Sequence, residues 1–508
     1  MRIGRGRRQA VAVVATAAMV AAAPGAAEAQ QRRALIVQST TSVRDSGVLD
    51  QLITPQFRRR FPQYDLKLIA VGTGQAITNA RAGQGDVLIG HSPALERAFV
   101  ADGFSDERVG RTVMWNDFVI VGPAGDPAGV MTAARNDAVG AFEALAAAGA
   151  AGRANFVSRG DNSGTNNKER EIWGLSGVPR TGTNEPSEGS GNPAWYHKAG
   201  LGMADTLRLT QQCPFTGGGC YTITDRGTLQ QLTSNGAITA LPVVMDEQSA
   251  NARGGENLML NVYNVYAINP AKYPSVKLEG ALAFMDFLTS KSFQRSLGRF
   301  PSAQQPGFFP AAFPGVTLTR RLPRTLSAAR RVTIAGRIAS TVPGAAPLAG
   351  LLVRLTRFAT PLNPIVEDRH RAGARGAFRL RARLTRSGTQ FLTTPRFQNL
   401  SPLSLRLGSV RLRASVSLAP VHVGSGGVVL RGRAFPASDR RRAVLQVRAR
   451  HAGSQGFGLM RRARLPRRGS RYRIDVNLPA GSWELRTRYV DKGIVAPGAS
   501  HVRSVSVP

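Results

Sequence analysis

The sequence predicts a two-lobed α/β domain followed by an all-β region of two immunoglobulin-like sandwiches. Three observations carry this. Short apolar runs alternate with helix-period stretches as far as about residue 300, alternation at period two replaces them beyond Arg320, and the charge changes at the same place. Residues 31–319 hold 26 Lys and Arg against 24 Asp and Glu, whereas residues 320–508 hold 37 against 6, so +31 of the net +36 lies in the second region. A chain of 508 residues is also too long for one hydrophobic core.

Residues 1–29 read as an export signal. Arg2, Arg5, Arg7 and Arg8 precede an apolar stretch from Val11 to Ala23, and Ala27-Glu28-Ala29 offers a small-x-small cleavage site. Arg7-Arg8 has poor flanks for a twin-arginine signal, so Sec export to the periplasm or cell-wall space is expected. No cysteine lies near the cleavage site, which argues against a lipoprotein anchor. Cys213 and Cys220, the two cysteines of the chain, flank a glycine-rich loop. In an exported protein such a pair reads as a local disulfide.

The first unit, residues 31–319, opens with the strand 34–38, which ends in Ser39-Thr40-Thr41-Ser42. Val48, Leu49, Leu52, Ile53 and Phe57 recur at helical spacing, with Asp45 or Ser46 as the expected N-cap. Strands at 66–71 and 86–90 follow, each handing over to a helix, as parallel βαβ units do. Residues 113–122 form a strand leaving this lobe, and 257–268 one returning to it. Between them 155–158 and 221–224 are strands, while 166–175, 206–212 and 226–232 are helices. Residues 278–300 read as one amphipathic helix. Trp115, Trp173 and Trp195 are expected in the core, and Tyr263 and Asn264 in the core or at a hinge.

The chemistry-bearing residues lie in two loops, Ser39–Ser42 and Ser158-Arg-Gly-Asp-Asn-Ser-Gly-Thr165, both where a strand passes into a helix. That is the carboxyl edge of a parallel sheet, where open α/β folds bind ligands and helix N-termini favour anions. Thr40, Thr41, Ser42, Ser163 and Thr165 supply rotatable hydroxyl donors. Gly160 and Gly164 allow close backbone approach, and Arg159 supplies a charged fork. Donors with one cation suit a tetrahedral oxyanion. Asp45 and Asp161 are the exceptions: they cap helices, orient Arg159, or select a protonated oxyanion such as hydrogen phosphate.

Residues 34–315 resemble the substrate-binding component of the tungstate ABC transporter. The matching stretches are Ser39–Ser42 with Asp45-Ser-Gly47, Val71-Gly-Thr-Gly-Gln-Ala76, Asp86-Val-Leu, Asn116–Pro123, Ser158–Thr165 and Tyr221–Thr228, in the family's order. The resemblance implies a class II periplasmic-binding-protein fold, a cleft for tungstate or molybdate, delivery to an ABC permease, and no cofactor or bound metal. It assigns ligand contacts to Thr40, Thr41, Ser42, Ser158, Arg159, Ser163, Gly164 and Thr165. Thr73, Gln75, Asp225 and Arg226 are second-tier candidates for ligand contact, with Asp225-Arg226 expected rather as a structural pair holding the lobe. Ser39, Asn162, the insert 182–192 and the Cys213–Cys220 loop depart from the family pattern without removing a donor. A phosphate or sulfate receptor is the alternative ligand class. His91 and His197 lack metal spacing and Ser163 lacks a histidine near it in sequence, so no enzyme activity is expected.

Beyond Arg320, apolar residues alternate with Arg or Thr over eight stretches, broken by Gly and Pro. Half-exposed antiparallel strands follow, arranged as sandwiches over 320–415 and 416–508. Their arginines either serve as solubilising charge or meet an anionic cell-wall polymer. Export and the lack of an RNA-binding motif argue against nucleic acid. A wall-associated structural protein built on an old binding domain is the alternative from another class.

Overall fold

A computed structural model describes residues 32–508 except 247, 361–362, 385, 425–426, 436–443, 465–469 and 491–494. The expected export signal therefore lies outside the described residues.

The α/β region is built on strands β1 (Arg33–Thr40), β2 (Tyr64–Val71), β3 (Val87–Gly90), β4 (Arg111–Val121), β5 (Ala154–Ser158), β6 (Tyr196–Lys198), β7 (Gly219–Asp225), β8 (Val243–Met245) and β9 (Leu260–Ala267). Their order is β2-β1-β3-β9-β4-β7-β5-β6, with β8 also on β4. β1 is parallel to β2 and β3, and β5 is parallel to β6 and β7. β4 joins the two halves: its residues 111–117 pair with β9 and 118–121 with β7. The chain therefore leaves the first lobe along β4 and returns along β9, as the apolar runs predict.

Each lobe has its own core, because helices cover its sheet. In the first, Leu35, Val37, Phe57, Phe284 and Phe287 pack together. In the second, Phe142, Phe156 and Trp173 do so, with ring centroids 4.5–5.5 Å apart. Trp173 is fully buried, but Trp115 is half-buried and stacks on Phe309 at 4.4 Å, outside the expected core. Tyr263 is buried in β9. Cys213 and Cys220 are bonded. Among the described residues no helix is long and apolar enough to cross a membrane.

Two helices differ from expectation. The helix after β1 begins at Thr41, not beyond Asp45, because Thr40 caps it by accepting from the Val43 N–H at 3.4 Å. Gly47, at φ 77°, ends that turn, and a π-helical stretch, Val48–Ile53, follows. The long helix 278–300 is two, Leu278–Leu288 and Lys291–Leu297, because Ser290 caps the second through the Phe293 N–H.

The rest is all-β, as expected. Gly315–Arg320, straddling the expected boundary, pairs with Val332–Ala339 and so belongs to the first of four further sheets. The first two sheets span residues up to Arg413 and the last two span Ser415–Val507. One continuous buried cluster, from Ala328 to Val495, runs through both pairs. This region docks on the first lobe. Thr112 N–H donates to Asn399 O at 3.1 Å, Ser401 N–H to Ala312 O at 2.8 Å, and Arg396 reaches Glu107 at 2.5–2.7 Å. Burial alone would raise the Glu107 carboxyl, but hydrogen bonds from Arg396 and Arg111 bring it down to about 2.

Candidate oxyanion-binding cleft

Three strand-to-helix junctions meet between the lobes. β1 runs into Ser39–Ser42, all buried. β2 ends at Val71, and after Gly72 the helix Thr73–Arg81 opens. From the other lobe β5 ends at Ser158 and its loop leads to the helix Gly164–Leu175, capped by Ser163 through the Asn166 N–H at 3.2 Å. Gly160 and Asn162, at φ 61° and 55°, turn the loop back through left-handed backbone. First-turn N–H groups lack partners within their helix, so these junctions direct donors into the gap.

The lobes are closed on each other. Gly74 N–H donates to Asn162 O at 3.2 Å and Thr228 Oγ1–H to Ser42 O at 3.1 Å. Asp45 Oδ2 accepts from the Ala204 N–H at 3.1 Å, so it caps a helix of the opposite lobe, Met203–Gln212. A Cβ on Gly164 would come within 2.5 Å of the His91 ring, so the lobes can meet there because residue 164 has no side chain.

Arg159 crosses the gap. Its guanidinium is buried and donates through Nη2 to Thr41 Oγ1 at 2.9 Å and to Asp161 Oδ2 at 2.5 Å. The other Asp161 oxygen accepts from the Ser163 N–H at 3.1 Å. Asp161 therefore orients Arg159 with both oxygens occupied.

Five donors remain buried with no hydrogen-bond partner: the hydroxyls of Ser39, Ser42, Thr73 and Thr165, and Arg159 Nε. Leaving a buried donor unmatched costs about 1–3 kcal/mol each, so their gathering at one interlobe gap calls for an acceptor-rich guest. Thr40, Thr41 and Ser163 accept through their oxygens and keep their hydroxyl protons available. A tetrahedral oxyanion presents only acceptors and matches this set.

Other candidates are placed elsewhere. Ser158 spends its proton on Glu169 at 2.7 Å and accepts from the Gly160 N–H at 3.1 Å, bracing the loop. Gln75 is exposed and bonds Asn79 on its own helix at 2.8 Å. Arg226 is held by Asp117 at 2.6 Å and Asp246 at 3.3 Å, not by Asp225. Asp225 caps its own helix through Thr228 N–H at 2.9 Å, and burial pushes its carboxyl up. The structure thus gathers Thr40, Thr41, Ser42, Thr73, Arg159, Ser163, Gly164 and Thr165, and leaves Gln75 and Arg226 outside.

Sequence reasoning passed over Ser39, His91 and Glu169. In the sequence Ser39 stands out only as a departure from the family pattern, although its place beside Thr40 is the same signal. Glu169, one turn beyond Thr165, is fully buried and accepts from Ser158, Tyr196, Asn166 and Trp173 at 2.6–3.3 Å; burial pushes its carboxyl up. His91 directly follows β3, and its lack of metal spacing in the sequence hides this position. Burial lowers it to about 4 and Nδ1 lies 2.9 Å from Asn261 Oδ1. The Asn261 amide nitrogen is already donating, to Asn116 and Tyr263, so His91 is the donor in that bond. Its Nε2 has no partner, so no serine–histidine pair forms at Ser163.

Residues 22–292 match the family model of the PBP superfamily domain. A putative ABC transporter anion-binding protein of Haloferax volcanii is 40% identical over 278 residues, 55% of this chain and 72% of the relative. The tungstate-binding protein TupA of Peptoclostridium acidaminophilum is 33% identical over 291 residues, 57% of this chain and 90% of the relative. Among solved structures, that of the tungstate ABC transporter from Geobacter sulfurreducens is 36% identical, covers 52% of this chain and 96% of that one, and has a TM-score of 0.41.

Proposed function

The chain belongs to the PBP superfamily and, over its first 290 or so residues, to the family of tungstate ABC-transporter substrate-binding components, and from that premise we propose that its cleft captures tungstate outside the cytoplasm and delivers it to an ABC permease. The observation that carries this reading is the set of five buried donors without partners, contributed by both lobes. Residues of the first lobe (Ser39, Thr40, Thr41, Ser42, Thr73) and of the second (Arg159, Ser163, Thr165) hold the anion between them. Ligand and closure are thereby coupled, because neither lobe alone supplies enough donors.

Asp161 gives a protonated anion no special advantage. Both oxygens of Asp161 already accept from protein donors, at 2.5 and 3.1 Å. Neither is needed as acceptor for a ligand O–H, so hydrogen phosphate has no special advantage here. Tungstate and molybdate are larger than sulfate and phosphate, and a cleft spaced for them leaves the smaller anions with stretched hydrogen bonds.

Calorimetric titration of the full chain with tungstate, molybdate, sulfate and phosphate tests the reading. Tungstate binding well ahead of sulfate and phosphate is expected, with molybdate as the near competitor. Phosphate or sulfate binding as tightly would replace the ligand assignment, and no binding by any of the four would remove the receptor function.

The β region has a second role in this reading, as contact with an anionic cell-wall polymer. Its outward arginines outnumber nearby carboxylates, as 37 basic against 6 acidic residues require. Binding of the full chain to purified cell wall that weakens with added salt is the expected result; salt-insensitive binding, or none, would remove this role.

A further inference from the structure

The last sheet of the molecule carries an arrangement that the domain's charge alone does not require. Strands Gly458–Arg464, Val444–His451 and Gly481–Val490 lie side by side. Leu445, Val447, Ala449, Trp483, Leu485, Thr487 and Tyr489 are buried, so the residues between them face outward. On that outer face Arg448 stands directly opposite Arg486, Gln446 opposite both Arg488 and Arg462, and Val444 opposite Arg464. Arg450 is opposite Glu484 and bonds it at 2.6 Å; among the described residues Glu484 is the carboxylate of these strands.

Like charges directly opposite on neighbouring strands destabilise a sheet. Here they are drawn in further: the Nε atoms of Arg448 and Arg486 are both buried and have no hydrogen-bond partner. Phe457 lies under Arg486 at 4.1 Å and under Arg450 at 4.7 Å, which holds the Arg486 guanidinium in place. Burial and the charges of Arg448, Arg488 and Arg450 lower the Arg486 pKa from its ordinary value. Two guanidinium groups are thus held close, desolvated at Nε and unneutralised.

We propose that Arg448 and Arg486 clamp a phosphate group of a linear phosphate-bearing polymer, with Arg488, Arg462 and Arg464 meeting its neighbouring charges. This rests on the reading of the β region as the polymer-binding part. A carboxylate sets its two coplanar oxygens against one guanidinium fork, whereas an in-chain phosphate sets its two non-bridging oxygens tetrahedrally about phosphorus, so that each can accept from a different guanidinium. A single-stranded nucleic acid fits less well, because it needs free aromatic faces for its bases and the ring of Phe457 is already covered by Arg450 and Arg486.

The test uses the full chain with inorganic polyphosphate, polyglutamate and single-stranded DNA as probes, titrated over a range of salt. Polyphosphate is expected to bind in preference to the other two. Arg448→Gln/Arg486→Gln should weaken it by about tenfold and reduce the salt slope by about two, one for each charge lost. Arg448→Lys/Arg486→Lys, which keeps charge but not the forks, should lose the preference over polyglutamate. Arg431→Gln/Arg473→Gln, an exposed opposite pair on the facing sheet, should change affinity much less. Circular dichroism and a thermal melt report that the β region of each variant is folded, and unchanged oxyanion binding reports the same for the lobes. The site is overturned if polyglutamate or DNA binds as tightly, or if the 431/473 variant loses binding while the 448/486 variant keeps it. Wall binding without polyphosphate binding would sink the phosphate clamp and leave the wall role standing. Absence of both would sink the two together.

Discussion

The α/β lobes and the β region both carry hydrogen-bond donors without partners, but in opposite settings. In the lobes 26 basic residues face 24 acidic ones, and carboxylates are used as braces: half-buried Asp161 for Arg159, buried Glu169 for Ser158, buried Asp225 for its helix. The donors left over are mostly neutral hydroxyls, buried at a gap that closes around them. In the β region 37 basic residues face 6 acidic ones, and the leftover donors are the buried Nε atoms of Arg448 and Arg486, two half-buried arginines on the outward side of a sheet. An enclosed gap can select a small anion by size and donor count, whereas an open charged face can only read spacing and charge. The first arrangement should therefore resist salt and the second should not.

The largest expected effect tests the enclosed site. Arg159→Ala removes the one buried cation of the cleft and should lower tungstate affinity by about 100-fold or more, from the loss of charge-assisted hydrogen bonds. Titration reads this, with circular dichroism showing the fold retained; unchanged affinity would remove Arg159 from the site.

A second prediction concerns the buried imidazole. The His91 pKa is about 4, below its ordinary value of 6.5. Between these values the unfolded chain takes up a proton that the folded chain refuses. Stability should therefore be complete above about pH 6.5 and fall by ~3 kcal/mol as pH drops to about 4. Thermal melts of His91→Gln should lack that part of the pH dependence; an unchanged profile would show that the imidazole titrates freely.

Closure itself can be broken more gently. Gly164→Ala places a Cβ against the His91 ring and should cost about tenfold in affinity, roughly 1.4 kcal/mol, without unfolding either lobe. The double variant Gly164→Ala/His91→Ala makes room and should recover most of it. Failure to recover would mean that the closed contact is not what residue 164 serves.

The smallest effect lies where the two regions meet. Glu107, depressed to about 2, contributes to docking above its ordinary carboxylate range and loses that contribution as pH falls through about 2. Glu107→Gln should lower the melting free energy near neutral pH by about 1 kcal/mol and flatten the acid limb. Equal acid limbs in the two proteins would show that the Arg396 contact does not hold the regions together.

Much of the fold was legible because period and charge are local properties of a chain. Alternating runs placed the expected strands of the lobes within about three residues of their observed ends but gave no sign of the short β6 and β8, and the jump in arginine content begins within a few residues of the first strand of the β region. The misses have particular causes. Thr40 and Ser290 redirect helices by capping, and a serine or threonine within an otherwise periodic stretch gives little warning of that. Gly315–Arg320 joined the β region because Val332–Ala339 offered it an edge, which residues 315–320 do not reveal by themselves.

For the candidate site, the sequence alone determined the residue types: hydroxyls, glycines and one arginine at two strand-to-helix junctions, with Asp161 among them, a donor-rich composition that suits a guest made of acceptors. Tertiary structure decided which of them stay unpaired. Ser158 and Ser163 are equivalent in the sequence, yet Glu169 takes the proton of one while that of the other remains available. Thr73 and Gln75 lie two apart, yet one is buried in the gap and the other is in solvent. Pairing depends on what the other lobe and the neighbouring helix bring within 3 Å or so, and those partners lie tens to hundreds of residues away along the chain.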